Sequence, residues 1–282
     1  MVLAGIVLSV LPAARGGGLR LGGRIALIEV DGIIADDEAV LEQIRRFRDD
    51  PSVRGFVVSI NSPGGVVGPS QSIYHELRRL READERPVIA SIAGVGASGG
   101  YYVALAADSI FALPGSMTGS IGVILEFPDA SELMDKVGVR MQVVKSAEHK
   151  DTGSPFRPIT EEDRAVLDSL VRDVYRQFVE VVAEERSLDG ASLGRVTDGR
   201  VLSGRQALQS GLIDRIGNVH DALASAGVMA GLGDDPDVVR PPEESFRMLD
   251  LILGRAASRV VGDLVGPFER ATTPSLKYVV PW

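Results

Sequence analysis

The chain has 282 residues, is 45% hydrophobic and carries a net charge of −9, so it can bury one large core or two modest ones. Its acids are scattered rather than gathered in a tail, and this balance argues against a nucleic-acid surface, which needs clustered Lys and Arg. The absence of cysteine excludes disulfides, thiolate metal sites and cysteine nucleophiles, and three histidines (His75, His149 and His220) argue against a multi-histidine metal site.

Val2 to Ala14 is apolar apart from Ser9 and Pro12, and Arg15 and three glycines follow. The stretch is shorter than the roughly 20 residues of a spanning helix. It has the length of a signal-peptide core without a basic residue before it. Residues 1–23 therefore read as a membrane-proximal or anchoring segment. Arg24 to Val30 reads as a strand ended by Asp31-Gly32. Glu38 to Arg48, with Ala39, Leu41, Ile44 and Phe47 at helical spacing, is stopped by Asp49-Asp50-Pro51. Gly55 to Ile60 is a continuous apolar run, the pattern of a parallel strand covered on both faces. It leads into Asn61-Ser62-Pro63-Gly64-Gly65 and a helix from about Pro69 to Ala83, in which His75 reads as a surface or packing residue.

Pro87 to Ile92 is the next strand, and Tyr102 to Ala107 an Ala-rich helix. The turn between them is Ala93-Gly94-Val95-Gly96-Ala97-Ser98-Gly99-Gly100. Ser98, its one polar side chain, stands at the start of the helix, where outward N–H groups favour developing negative charge. Ile110 to Ala112 is a short strand before a third glycine-rich stretch, Thr118 to Ile124. Alternating βα units imply a parallel sheet with helices on both faces. Functional loops of such sheets lie at the carboxyl ends of strands, so the three glycine turns are expected to converge.

Thr160 caps a helix that begins with Glu161-Glu162-Asp163 and runs to about Arg186; Leu167, Leu170, Val174, Phe178 and Val181 form a stripe for the core or a subunit contact. Asp198-Gly199-Arg200-Val201 and Gly204-Arg205-Gln206-Ala207 precede a short helix, and Leu212-Ile213-Asp214 leads into an edge strand. Gly231 to Glu244 has linker composition. Phe246 to Val265 is amphipathic, and Tyr278 to Trp282 is an extended apolar tail that could lie in a groove as a substrate mimic. The expected organisation is a segment 1–23, a catalytic domain 24–230, and a linker with an amphipathic oligomerisation or tail segment over 231–282.

The turn around Ser98 fits three chemistries. Gly94-x-Gly96-x-x-Gly99 matches a dinucleotide fingerprint but lacks a ribose-binding acid about 20 residues on. Gly96-x-Ser98-x-Gly100 matches a nucleophile elbow, which needs an acid and then a histidine downstream. His149 sits in the charged stretch Lys145 to Asp151 and reads as a solvated loop residue; His220 is not in the loop that reading requires. The third chemistry is a serine nucleophile served by a lysine base.

Here the motifs match as a set. Asn61-Ser62-Pro63-Gly64-Gly65, Ala97-Ser98-Gly99-Gly100-Tyr101-Tyr102, Thr118-Gly119-Ser120-Ile121-Gly122-Val123, Lys145-Ser146 with His149-Lys150-Asp151 and Ser154-Pro155, and Asp198-Gly199-Arg200-Val201 follow in order. Over roughly Arg24 to Ala226 the chain resembles the signal peptide peptidase A family of serine proteases, peptidase family S49, in its short single-repeat branch. The resemblance implies an α/β, ClpP/crotonase-like fold of repeated βα units with a mainly parallel sheet. It implies Ser98 as nucleophile, Lys150 as general base with Lys145 ranked second, Ser120 as a hydrogen-bond partner of the lysine, and the N–H groups of Gly65 and Gly99 as oxyanion hole. It also implies no cofactor. The implied substrates are signal-peptide remnants and unfolded segments bound extended. The implied assembly is a homo-oligomeric ring such as an octamer, with Ser98 and Lys150 supplied by neighbouring subunits. The implied setting is a membrane, with the catalytic domain on its extracytoplasmic side, although residues 1–23 do not match a full anchor. A crotonase-fold enzyme acting on acyl-CoA and an α/β-hydrolase triad stay open as alternatives.

Overall fold

The structure is a computed structural model that describes residues 22–83, 85–241 and 276–279. In chain order its elements are β1 (Arg24–Asp31), α1 (Glu38–Arg48), β2 (Val53–Ser62), β3 (Gly64–Val66), α2 (Val67–Ala83), β4 (Val88–Ala97) and α3 (Gly99–Ala104). Next come β5 (Ser109–Ala112), β6 (Met117–Gly119), β7 (Ile124–Leu125), α4 (Ser131–Val137), a 3₁₀ turn (Glu148–Asp151), α5 (Glu161–Arg186) and α6 (Gly190–Gly194). The last are β8 (Val201–Ser203), α7 (Gly204–Gln209), β9 (Arg215–Ile216), α8 (Val219–Met229), β10 (Val238–Val239) and β11 (Leu276–Val279).

The main sheet has the order β10-β1-β2-β4-β5-β9, all parallel, with β6 continuing along β4 and β8 antiparallel to β6. This is the expected α/β architecture. Its strands are apolar on both faces because helices cover both. Ala26, Ile28 and Val30 of β1 join Phe56, Val58 and Ile60 of β2 in a core completed by Ile73 and Leu77 of α2 and Phe178 of α5. The alternate residues Ile25, Leu27, Val57, Ile89 and Phe111 pack on Ala222, Leu223 and Ala226 of α8. A smaller sheet, β3-β11-β7, stands apart, and both of its pairings are antiparallel.

Two sequence expectations are corrected. β4 runs five residues beyond Ile92, to Ala97, because Gly94 and Gly96 still pair or lie between paired residues. The stretch read as linker contains β10, whose Val238 and Val239 pair with Ile25 and Ala26. The last edge strand, Arg215–Ile216, follows directly on Leu212 to Asp214, as expected. The α5 stripe divides: Val174 and Phe178 are core, whereas Leu170 is exposed. Residues 1–21 and the amphipathic segment Phe246 to Val265 lie outside the described residues. Among the described residues, no helix is long and apolar enough to cross a membrane.

Candidate active site

The long β4 brings the three glycine turns side by side. Gly96 pairs with Ser62 of β2 on one side and with Thr118 of β6 on the other, and Ala97 pairs with Gly119. The Thr118 hydroxyl donates to the Gly96 carbonyl at 2.7 Å and ties the two turns together. Ser98 follows as the N-cap residue of α3, with φ 54° and ψ −117°. A side chain in such a left-handed conformation costs about 1–3 kcal/mol and persists only where the surroundings hold it. Here they do. The Ser98 N–H donates to the Gly119 carbonyl, and its carbonyl accepts from Tyr102 N–H, both at 2.8 Å.

Behind the serine, α3 is anchored by its two tyrosines. The Tyr101 hydroxyl donates to the Leu212 carbonyl at 2.7 Å. The Tyr102 ring packs between Tyr74 of α2 and Phe178 of α5, with centroids 5.1 and 5.0 Å away. Burial pushes both phenol pKa values up, so the rings are neutral packing groups. The result is a fixed hydroxyl in a dry place. Ser98 is 1% exposed, and its Oγ is the one buried side-chain polar atom without a hydrogen-bond partner among the described residues.

The neighbouring turn is built around Ser62, which sequence reasoning did not single out. Its Oγ accepts from Gly64 N–H at 3.1 Å. Its carbonyl faces Gly100 so closely that a Cβ there would come within 2.7 Å of the oxygen. Gly65 is wedged between Ile34 and Tyr278: it bridges to Ile34 in parallel and pairs with Tyr278 of β11. A Cβ on Gly65 would lie 2.1 Å from the Ile34 carbonyl oxygen, so only glycine fits. Gly99 opens α3, where an N–H has no intrahelical acceptor.

Ser120 is buried at φ 51°, with its N–H donating to the Arg200 carbonyl at 2.8 Å. The Asp198-Gly199-Arg200-Val201 motif thus supports the Ser120 turn through β8. Ser120 also lines a cavity of about 420 Å³ with Ile121, Val123, Val171, Tyr175 and Asp198.

Lys150 stands apart. It lies in the 3₁₀ turn, and residues 135–150 are exposed at every position. Within one chain the structure does not pair Lys150 with the Ser98 hydroxyl. Lys145 is occupied, donating to the Glu148 carbonyl at 2.7 Å and to Asp151 Oδ1 at 2.8 Å. His75, His149 and His220 are all exposed, so none serves the buried Ser98 hydroxyl. No group of three or more His, Asp or Glu able to hold a metal occurs among the described residues.

Residues 81–233, more than half of the chain, match the family model for peptidase family S49. The chain belongs to peptidase family S49. A Synechocystis protein named "Putative protease slr0021" is 40% identical over 231 residues, covering 80% of this chain and 82% of its own. The Enterococcus faecium "Putative signal peptide peptidase SppA" is 35% identical over 215 residues, 72% of this chain and 62% of its own. The Arabidopsis thaliana "Serine protease SPPA, chloroplastic" is 31% identical over 251 residues, 86% of this chain but 37% of its own. The S49 chain is accordingly a serine peptidase, a hydrolase of peptide bonds, and its partners are peptides. Membership of S49 sets aside the acyl-CoA and α/β-hydrolase alternatives.

Proposed function

We propose that this S49 peptidase cuts extended apolar peptides, signal-peptide remnants among them, through an acyl-enzyme on Ser98 with Lys150 of a neighbouring subunit as base. The observation that carries this is the Ser98 hydroxyl, buried, held at positive φ and without a partner in its own chain. Lys150 removes the hydroxyl proton as Oγ attacks the carbonyl carbon. The N–H groups of Gly65 and Gly99 receive the oxyanion, where one such donor contributes about 3–4 kcal/mol. Collapse expels the amine, which takes the proton from Lys150; water then repeats the cycle on the acyl group. Ser120 orients the lysine.

A lysine base must be neutral, which burial or unpaired cations favour. The sequence offers Lys145 and Arg157 as nearby cations, but Asp151 and Asp163 neutralise both. Desolvation by a neighbouring subunit is therefore the route. Leu133, Val137, Val139, Met141, Val143 and Val144 are exposed apolar residues leading to Lys150 and form the face that seats on that neighbour. The assembly is a homo-oligomeric ring such as an octamer. The substrate adds as a strand between β3 and β7, where the chain's own β11 lies. Residues 1–23 hold the ring at a membrane, with the site on the extracytoplasmic side; fractionating cells that express the chain with and without these residues tests both points.

The main test uses a fluorogenic apolar peptide with Ser98→Ala, Lys150→Ala and His149→Ala proteins. The first two are inactive and the third is active. Co-assembled Ser98→Ala and Lys150→Ala subunits recover roughly a quarter of wild-type activity, since random neighbours complete about that share of sites. No recovery on co-assembly rules out a shared dyad, and activity in either single variant rules out the dyad itself.

A further inference from the structure

The arm that carries Lys150 has few fastenings. Residues 135–150 bury nothing, and the 3₁₀ turn is closed by single backbone bonds such as Lys150 N–H to the Ala147 carbonyl at 3.3 Å. Immediately after Lys150 the situation changes. Asp151 receives Arg157 Nε at 3.1 Å, Arg157 Nη2 at 3.0 Å and Lys145 Nζ at 2.8 Å. Arg157 also grips both oxygens of Asp163, with Nη2 3.1 Å from Oδ1. Asp163 is buried in the first turn of α5, where it completes the capping box with Thr160 and accepts from the Thr152 hydroxyl at 2.6 Å.

We infer that Arg157, bridging Asp151 to Asp163, is a positioning residue that locks the Lys150 turn to the rigid start of α5. The inference rests on Lys150 being the base. Three features support it. The bridge begins one residue from Lys150, so any slack in it reaches the amine directly. Its far end is a 26-residue helix whose Phe178 is in the core, which makes a stiff reference for an exposed arm. Its charges cancel, two cations against two carboxylates, so it fixes a place without imposing a field on the neighbouring amine. Guanidinium suits this role because its planar fork can hold two carboxylates at once, which an ammonium cannot do with the same geometry. A displacement of about 1 Å at a reacting group can cost about a hundredfold in rate.

The test compares Arg157→Gln, Arg157→Lys and Asp151→Asn with wild type and Lys150→Ala in the full chain. Steady-state kinetics are measured across pH, together with sedimentation and thermal unfolding. Arg157→Gln is expected to lower kcat about 30- to 100-fold with KM changed less than threefold, and to move the limb of the pH profile set by the base. Asp151→Asn, which leaves the α5 cap intact, follows in the same direction, and Arg157→Lys restores part of kcat. Inactivity of Lys150→Ala with kcat and pH profile unchanged in Arg157→Gln and Asp151→Asn overturns the positioning role while leaving the base in place. Loss of kcat that tracks dissociation or unfolding, with no movement of the pH profile, overturns it too. Activity in Lys150→Ala removes the base assignment and this inference with it.

Discussion

Removing β11 is the perturbation whose outcome the structure constrains most closely. On the proposed binding mode the strand lies where a peptide would add, with Tyr278 opposite Gly65 and Lys277 paired to both Val66 and Ile124. Its five residue pairings correspond to about five backbone hydrogen bonds, each contributing about 1 kcal/mol net. Ordering four residues costs roughly 1–2 kcal/mol each. The two sides nearly cancel, so the strand is a displaceable occupant held within a couple of kcal/mol of release. A competing peptide feels that balance as a raised apparent KM, tenfold for each 1.4 kcal/mol. Deleting residues 270–282 is therefore expected to lower KM for a fluorogenic apolar peptide by about 3- to 30-fold, with kcat within twofold. Tyr278→Pro, which removes a ladder N–H while keeping the chain length, has the same effect on a smaller scale. KM unchanged within twofold in both variants refutes the reasoning, because a strand seated in the cleft cannot be silent toward its competitor.

The other predictions follow from local contacts. Ser98→Ala abolishes turnover and raises stability by about 1 kcal/mol, read by denaturant unfolding, because it removes a buried hydroxyl with no partner. Gly65→Ala pushes a methyl into the Ile34 carbonyl and destabilises by about 1–3 kcal/mol, with kcat/KM falling at least a hundredfold in a peptide assay. Val144→Asp puts a charge on the proposed subunit face; sedimentation then shows smaller particles, and activity falls in proportion. Acid acts on the Lys150 turn. Arg157 and then Lys145 depress the Asp151 pKa from 3.8 to about 2, so its contribution to stability is present above pH 3.8 and lost as pH falls through 2; hydrogen exchange of residues 148–157 over pH 2 to 5 follows this.

Much of this was legible in the sequence, and the failures share a cause. α1 begins and ends at the residues expected because its signals are local: apolar spacing, then Asp49-Asp50-Pro51. The Ser98 turn was equally visible, since a serine among glycines between a strand and a helix is a short-range pattern. β4 overran its expected end because Gly94 and Gly96 have poor strand propensity, and only the folded sheet supplies the Ser62 and Thr118 pairings of Gly96 that continue the ladder. β10 hid inside apparent linker composition, as its two valines become a strand only beside Ile25 and Ala26. Ser62 escaped notice because its role depends on the contact of its carbonyl with Gly100 in the first turn of α3. The surroundings of Lys150 were unreadable for a different reason: the arm that bears it is exposed, so its own chain supplies little environment to read.

The partnerless Ser98 hydroxyl has one more consequence. Folding has already stripped this oxygen of water and left its hydrogen-bonding capacity unmet. An arriving amine or peptide therefore meets a group with nothing to give up, and the interaction is gained at nearly its dry strength. On the proposed assembly, a chain that is alone lacks its base, and reactivity arrives only with association.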